Sequence, residues 1–284
     1  PYTGGLIRVA QALRRAVTSD PLLPRRKRLG EGIPGILALS ASLHFGEPTN
    51  PEVAYQLAKA VQGIADGARW FQLPVVAVDF EVAAERGLRP AVEVTAHGQT
   101  YRPGTWDLRP GTTDRPETRD PRPETPNPSP QNQFVAVGDE LVHIGRPAND
   151  LSGSLYLADQ PSLPPPIDLI AEGRVLELVR GTQPLVHTLR DVGRGGLLVT
   201  LARCCTRELG ARITLPAAWG ELDTTAALFG EAQSRFVAAL SASDIPALQA
   251  LAAQLDVRVQ PIGTVAGGRL IVDGVIDIDL KELK

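Results

Sequence analysis

The chain has 284 residues, 43% of them hydrophobic and 21% charged, with a formal net charge of −3. That length allows two domains of ordinary size with ample core. The negative balance argues against non-specific binding to nucleic acid or to an anionic membrane, since both reward a basic surface, and no apolar stretch approaches the ~20 residues that span a bilayer.

Ile7 to Val17 carries Ile7, Ala10, Leu13 and Val17 on one face, which predicts an amphipathic helix. The dense basic run Arg25–Arg26–Lys27–Arg28 follows Pro24 and reads either as a solvated loop or as a phosphate-contacting patch. Gly35 to Ser40 is a short apolar strand. Asn50 then offers a helix cap with Pro51 at the first position, followed by an apolar stripe of Val53, Leu57, Ala60, Val61, Ile64 and Ala68. Pro74 to Val82 reads as a strand that places Asp79 and Glu81 on one face. Ala91 to Tyr101 alternates and is expected to be its antiparallel neighbour. From Arg102 to Gln133 prolines recur among charges and threonines, a composition that cannot bury a core and predicts an exposed loop.

Phe134 to Val137 resumes strand character, and the Gly138–Asp139 turn is the expected boundary between an N-terminal domain (1–137) and a C-terminal one (138–284). The second half offers strands at Glu140–Ile144, Ala211–Leu215, Arg235–Leu240 and Val257–Ile262. Helices are expected at Ile167–Val179 and Ile245–Leu255, and a hairpin about Asp273–Gly274. The class is α+β with mixed or antiparallel sheets. Between Leu185 and Arg203 a short strand turns on Gly193, Gly195 and Gly196 and continues as a helix. Strand–glycines–helix is either a tight turn or an anion site, where free N–H groups and the helix dipole favour negative charge. Cys204 and Cys205 are the only cysteines; adjacent thiols rarely bridge, so both are expected reduced, as suits the cytoplasm. Pro1 follows either a removed initiator Met or a preceding segment of a longer chain.

Six motifs, in order, resemble the second half of phosphoribosylformylglycinamidine synthase, of the aminoimidazole ribonucleotide (AIR) synthase superfamily. They are PYTGG (Pro1–Gly5), LHFGEP (Leu43–Pro48), PEVAYQLAKAVQGIADGAR (Pro51–Arg69), PVVAVDFE (Pro74–Glu81), DVGRGGL (Asp191–Leu197) and LFGEAQSR (Leu228–Arg235). The family counterparts read DPYxGG, LNFGNP, PEV…GIAD, PVVSGNVS, DVSDGGL and LFGESQxR. The resemblance implies a two-domain fold whose N-terminal domain contributes strands to a barrel with a partner domain. It also implies ATP and magnesium as cofactors, ammonia from a glutaminase partner, and catalytic histidine and lysine residues in the other half of the enzyme.

Matching positions depart from the family. Ala41 stands where an aspartate touches ATP, and Val78, Asp79 and Glu81 replace the glycine, asparagine and serine of GNVS. Asp79 retains oxygen donors for magnesium, whereas Glu81 places negative charge where substrate would lie. The Asp79/Glu81 pair therefore reads as a metal or acid–base site or simply as a solvated edge. His44 and Glu47 replace two asparagines, and a lone histidine of this kind is usually a surface or satisfied residue; His97, His143 and His187 read the same way. Arg194 replaces an acidic residue and favours an anion beside Asp191, Gly193, Gly195 and Gly196, while Glu231 and Gln233 keep the family identity and Ala232 replaces a serine. Three functions follow from this pattern. The first is a non-catalytic or auxiliary half assembling as a homodimer or with a catalytic synthase chain. The second is an active ATP-dependent C–N ligase using Asp79, and the third is a regulatory module holding phosphate at the glycine loop.

Overall fold

The computed structural model describes residues 2–19, 36–82, 90–98, 130–160 and 162–282. The Arg25–Arg28 run and nearly all of the proline-rich stretch lie outside them. Among the described residues no helix is long and apolar enough to cross a membrane.

The first half holds α1 (Tyr2–Ser19), β1 (Ile36–Phe45), α2 (Pro51–Trp70), β2 (Val75–Val82) and β3 (Ala91–Gly98). The apolar stripe Leu6, Val9, Ala10, Leu13 and Val17 of α1 is buried. The helix begins five residues earlier than Ile7 and takes in Gly4–Gly5, where the lack of a side chain lets two helices touch. A Cβ on Gly5 would collide with the Ala60 carbonyl oxygen, and one on Gly63 with that of Tyr2. Asn50 caps α2 as expected, its side chain accepting the Glu52 N–H at 3.0 Å. β1 runs on to Phe45 because its alternation continues, with Leu39, Ala41, Leu43 and Phe45 buried against the helices and Ser40, Ser42 and His44 on the opposite face.

The expected β2–β3 hairpin is not formed. The strand order is β2-β1-β3, with β1 parallel to β2 and antiparallel to β3. α2 carries the chain back to the start of the sheet, which makes the β1–β2 pair parallel, and the strand with the most completely buried row takes the centre. Among the described residues this sheet is open and closes no barrel.

The second half forms a seven-stranded mixed sheet from β4 (Glu140–Ile144), β5 (Val186–Asp191), β6 (Leu209–Ile213), β7 (Phe236–Leu240), β8 (Val259–Gly267), β9 (Arg269–Val272) and β10 (Ile276–Asp279), in the order β10-β9-β6-β8-β4-β7-β5. All neighbours are antiparallel except β6 and β9. α3 (Leu169–Thr182) and α6 (Ile245–Gln254) contribute to the core on one face, and α4 (Gly196–Cys204) and α5 (Thr224–Phe229) to the core on the other. β7 is buried at every residue because it serves both: Phe236, Ala238 and Leu240 face the first, Val237 and Ala239 the second. The strand expected at Phe134–Val137 does not form. Phe134 donates its N–H to the Cys204 carbonyl, at 2.7 Å, rather than to a strand neighbour.

The first of these cores is continuous across the two halves, combining Val9, Leu13 and Val17 of α1 with Leu176 and Val179 of α3 and Phe236 of β7. Within it lies an ion pair. The Arg14 guanidinium donates to both Glu172 carboxylate oxygens, at 2.9 and 2.8 Å, with both side chains at most 1% exposed. Ser234 Oγ donates to Glu172 at 2.5 Å and Arg14 donates to Gln233 Oε1 at 2.6 Å. Removing one partner strands the other charge in a dry interior. Arg14→Met should therefore cost about 3–5 kcal/mol of stability in denaturant titration, and Arg14→Met with Glu172→Leu should recover most of that loss.

His143 on β4 is wholly buried against Trp219, ring centroids 5.1 Å apart and nearly perpendicular, and neither ring nitrogen has a hydrogen-bond partner. Burial, then repulsion from Arg235, drives its pKa from 6.5 down to about 3, against a smaller opposing influence of the Gly145 backbone. The unfolded chain takes up this proton near pH 6.5 and the folded chain resists until about 3. Stability should thus fall on acidification through that window, by up to about 1.4 kcal/mol per pH unit from this group, and His143→Phe should remove that increment from the measured slope.

Candidate functional site

β5 ends at Asp191, and the chain then turns through Gly193, Arg194, Gly195 and Gly196 into α4. Gly195 and Gly196 have φ of +92° and +73°, left-handed values that only glycine adopts without strain. A Cβ on Gly196 would also press on the Phe229 backbone at 2.7 Å, so α4 can start here only as glycine.

Two N–H groups of this turn, those of Gly195 and Gly196, are partnered from within the protein. Gly196 donates to the Gly193 carbonyl at 3.0 Å. Gly195 donates to Glu231 Oε1 at 2.9 Å, and Leu155 donates to the same oxygen at 2.7 Å. The anion at the start of α4 is therefore the protein's own carboxylate, and a phosphate arriving at that spot would have to displace it. Gln233 reaches back to the Glu231 carbonyl at 2.8 Å and accepts from Arg14, which ties the turn to the buried ion pair. Asp191, Gly193, Arg194, Gly195, Gly196, Glu231 and Gln233 are thus gathered in one region. Arg194 is exposed and lies close enough to Arg8 of α1 to repel it.

His44, Asp79 and Glu81 sit elsewhere, on the polar face of the three-stranded sheet. His44 Nδ1 lies 3.0 Å from Glu81, and His44 Nε2 lies 3.1 Å from Ser42 Oγ. Asp79 stands beside Ser42 in register and is exposed. Among the described residues no three His, Cys, Asp or Glu side chains converge as metal ligands. Two exposed carboxylates, one already held by His44, do not make a magnesium cage by themselves. Neither cysteine is a poised nucleophile: burial pushes the Cys204 and Cys205 thiols up, to about 12 and about 11.

His44 also lines a cavity of about 220 Å³ between α1 and β3, with Arg8, Gln11, Arg15 and Glu93. None of these four was singled out from the sequence. Arg8 and Arg15 are seven residues apart, hence on one helical face, but opposite an apolar stripe such a pair reads as a solvated surface. Arg14 gave a sharper signal, a charge embedded between Leu13 and Val17, since a charged group inside an apolar stripe demands a buried partner.

Comparison with known proteins bears on the family and the fold. The family described as AIR synthase related protein, C-terminal domain, matches residues 136–274. The phosphoribosylformylglycinamidine synthase subunit PurL of Thermomicrobium roseum is 32% identical over 260 residues, covering 87% of this chain and 32% of the relative. The PurLQS structure from Thermotoga maritima superposes with a TM-score of 0.69 at 17% identity, over 100% of this chain and 42% of that one. Thermotoga maritima PurL complexed with ATP gives a TM-score of 0.64 at 15% identity, over 100% of this chain and 41% of that one. The chain spans about a third of the length of the curated relatives it matches. It belongs to the AIR synthase superfamily and is PurL-like.

Proposed function

We propose that the chain acts as an auxiliary half of a PurL-type assembly, pairing through its N-terminal sheet with a second such sheet, from its own copy or from a catalytic chain. In this reading residues 1–137 and 138–284 are the two domains, and β2 is the strand that continues into a shared barrel. The observation that carries it is the outer row of β2, where Val76, Val78, Phe80 and Val82 are 63%, 55%, 43% and 45% exposed. In register Val78, Phe80 and Val82 flank Ala41, Leu43 and Phe45, which are buried. The row therefore continues the core-facing side of β1 but lies beyond the cover of the helices. An apolar strand at a sheet edge, with its outer backbone groups unpaired, is a template for another strand. A catalytic role has less support, since Glu81 is engaged by His44 and the turn before α4 is filled by Glu231.

Light scattering on the purified chain should give a dimer, or a complex once a catalytic chain is added. Val78→Lys with Phe80→Lys should dissociate it at least tenfold more readily, because both substitutions place charge in the buried row. A wild type that stays monomeric and takes up no synthase chain sinks the assembly reading. Turnover of ATP with formylglycinamide ribonucleotide and ammonia by the isolated chain sinks the auxiliary one.

Arg194 favours a second reading, a phosphate- or nucleotide-binding module, because it places a cation where the family has an acid. ATP with magnesium is the ligand to titrate first, since a Thermotoga maritima relative is complexed with ATP. Calorimetric binding that Arg194→Glu weakens at least tenfold supports this module; binding unchanged by the substitution, or none at millimolar ATP, removes it.

A further inference from the structure

The polar face of the three-stranded sheet carries a group of side chains that the assembly reading does not use. Ser42 and His44 are two residues apart on β1, hence on one face, and Glu81 stands opposite His44 on β2. Ser42 Oγ lies 3.1 Å from His44 Nε2, and His44 Nδ1 lies 3.0 Å from the Glu81 carboxylate. The carboxylate fixes the roles. An ionised carboxylate only accepts, so Nδ1 carries the proton, and the neutral ring keeps its lone pair on Nε2 for the Ser42 hydroxyl. A hydroxyl within reach of a base that an acid orients is the arrangement that activates a serine nucleophile. Ser40 and His97 also meet on this face, Oγ to Nε2 at 2.7 Å, but no carboxylate pairs with His97 among the described residues.

We propose that Ser42, His44 and Glu81 form a hydrolytic triad for short, uncharged carboxylic esters, with Ser42 as nucleophile, His44 as general base and Glu81 as the positioning residue. His44 Nε2 takes the Ser42 proton as Oγ bonds to the acyl carbon. The tetrahedral adduct expels the alcohol, whose oxygen takes that proton from Nε2, and the acyl group stays on Ser42. Water then repeats the sequence: His44 takes its proton, its oxygen bonds to the acyl carbon, and the Ser42 oxygen leaves with the proton as the acid is released. Ester and water give acid and alcohol, without a co-reactant, ATP or a partner chain. β1 is the central strand, with its backbone paired on both sides, so donors to the oxyanion must come from side chains. Arg8, Gln11 and Arg15 supply N–H groups in the cavity of about 220 Å³ that His44 also lines. That volume is below the roughly 300–1,000 Å³ of pockets that enclose drug-sized ligands, which limits the acyl group to a few carbons. Asp79 and Glu93 flank Ser42 in register on the two neighbouring strands, opposing the guanidinium groups, so neither sign of charge is favoured in the substrate. The His44 and Glu81 side chains are 42% and 74% exposed, and a site this wet stabilises an oxyanion weakly. It therefore suits esters with a good leaving group rather than amides.

Hydrolysis of p-nitrophenyl acetate by the full chain, followed by the absorbance of p-nitrophenolate, tests this. The wild type should release a burst of p-nitrophenolate and, after acid quenching, carry an acetyl group on the Ser42 peptide in mass spectrometry. Ser42→Ala should abolish both and lower kcat by roughly tenfold or more. Glu81→Gln should lower kcat with KM little changed, because an amide can donate to Nδ1 and leave the ring proton on Nε2. Ser42 is half-buried and Glu81 exposed, so neither substitution opens a cavity in the core. The inference is overturned if the acetyl group sits on lysine or histidine and not on Ser42. It is overturned equally if Ser42→Ala hydrolyses the ester as fast as the wild type, which leaves the imidazole acting alone, or if Glu81→Gln changes nothing. Light scattering on the same samples keeps the two readings apart: a monomer acylated at Ser42 leaves the triad standing while the assembly reading falls.

Discussion

The ion pair between Arg14 and Glu172 is the constraint through which the two halves become one structure. Arg14 belongs to the helix that covers the three-stranded sheet, and Glu172 to a helix packed on the seven-stranded one. A hydrophobic contact between them would tolerate sliding. A guanidinium nitrogen set between both carboxylate oxygens does not, because any shift that lengthens the contacts leaves charge in a medium that cannot solvate it. The remaining oxygens and nitrogens are largely committed as well, Ser234 to Glu172 and Gln233 to Arg14. From Gln233 the network continues to the Glu231 backbone, and the Glu231 carboxylate caps Gly195. The geometry of the glycine turn is thereby tied to the packing of α1, well over a hundred residues away in sequence but a few hydrogen bonds away in space.

That coupling changes what the glycine turn means. A strand that stops at glycines before a helix is chemically prepared for an anion, and the structure does place one there. It is internal, a carboxylate held by two N–H groups and by the positive end of α4. The cation next to it, Arg194, is exposed and close enough to Arg8 to repel it. Electrostatics that look like a phosphate cradle in one dimension separate, in three, into a structural cap and a surface field.

Legibility followed periodicity. The α2 helix, with its Asn50 cap and its apolar stripe, was readable to within a residue or two at its ends, because local chemistry alone specifies it. The C-terminal hairpin about Gly274 was readable for the same reason, that residue having a φ of +73°. Pairing was not. Whether β2 lies beside β3 or beside β1 depends on which strand has the most buried row, and that is decided by helices remote in sequence. The start of α1 was not readable either, since a glycine such as Gly5 weakens an isolated helix yet permits two helices to touch, and only the position of Gly63 distinguishes the two. The arginines of the α1 face were invisible for a related reason: charge opposite an apolar stripe looks like solvation until a strand carrying one acid is placed beneath it.

The β2 strand shows why family motifs fix a fold more firmly than a function. Its hydrophobic alternation fits the three-stranded sheet whatever the other positions hold, so PVVAVDFE keeps its place beside β1. The side chains on its polar face are under no such constraint, and there Asp79 and Glu81 stand where the family has asparagine and serine. His44, another departure, lies directly across from Glu81 and holds it at 3.0 Å. The two substitutions therefore make sense together: a carboxylate on one strand meets an imidazole on the next. Among the described residues, what remains open on this strand is its apolar row and its outer backbone edge, and both suit an added strand better than a substrate.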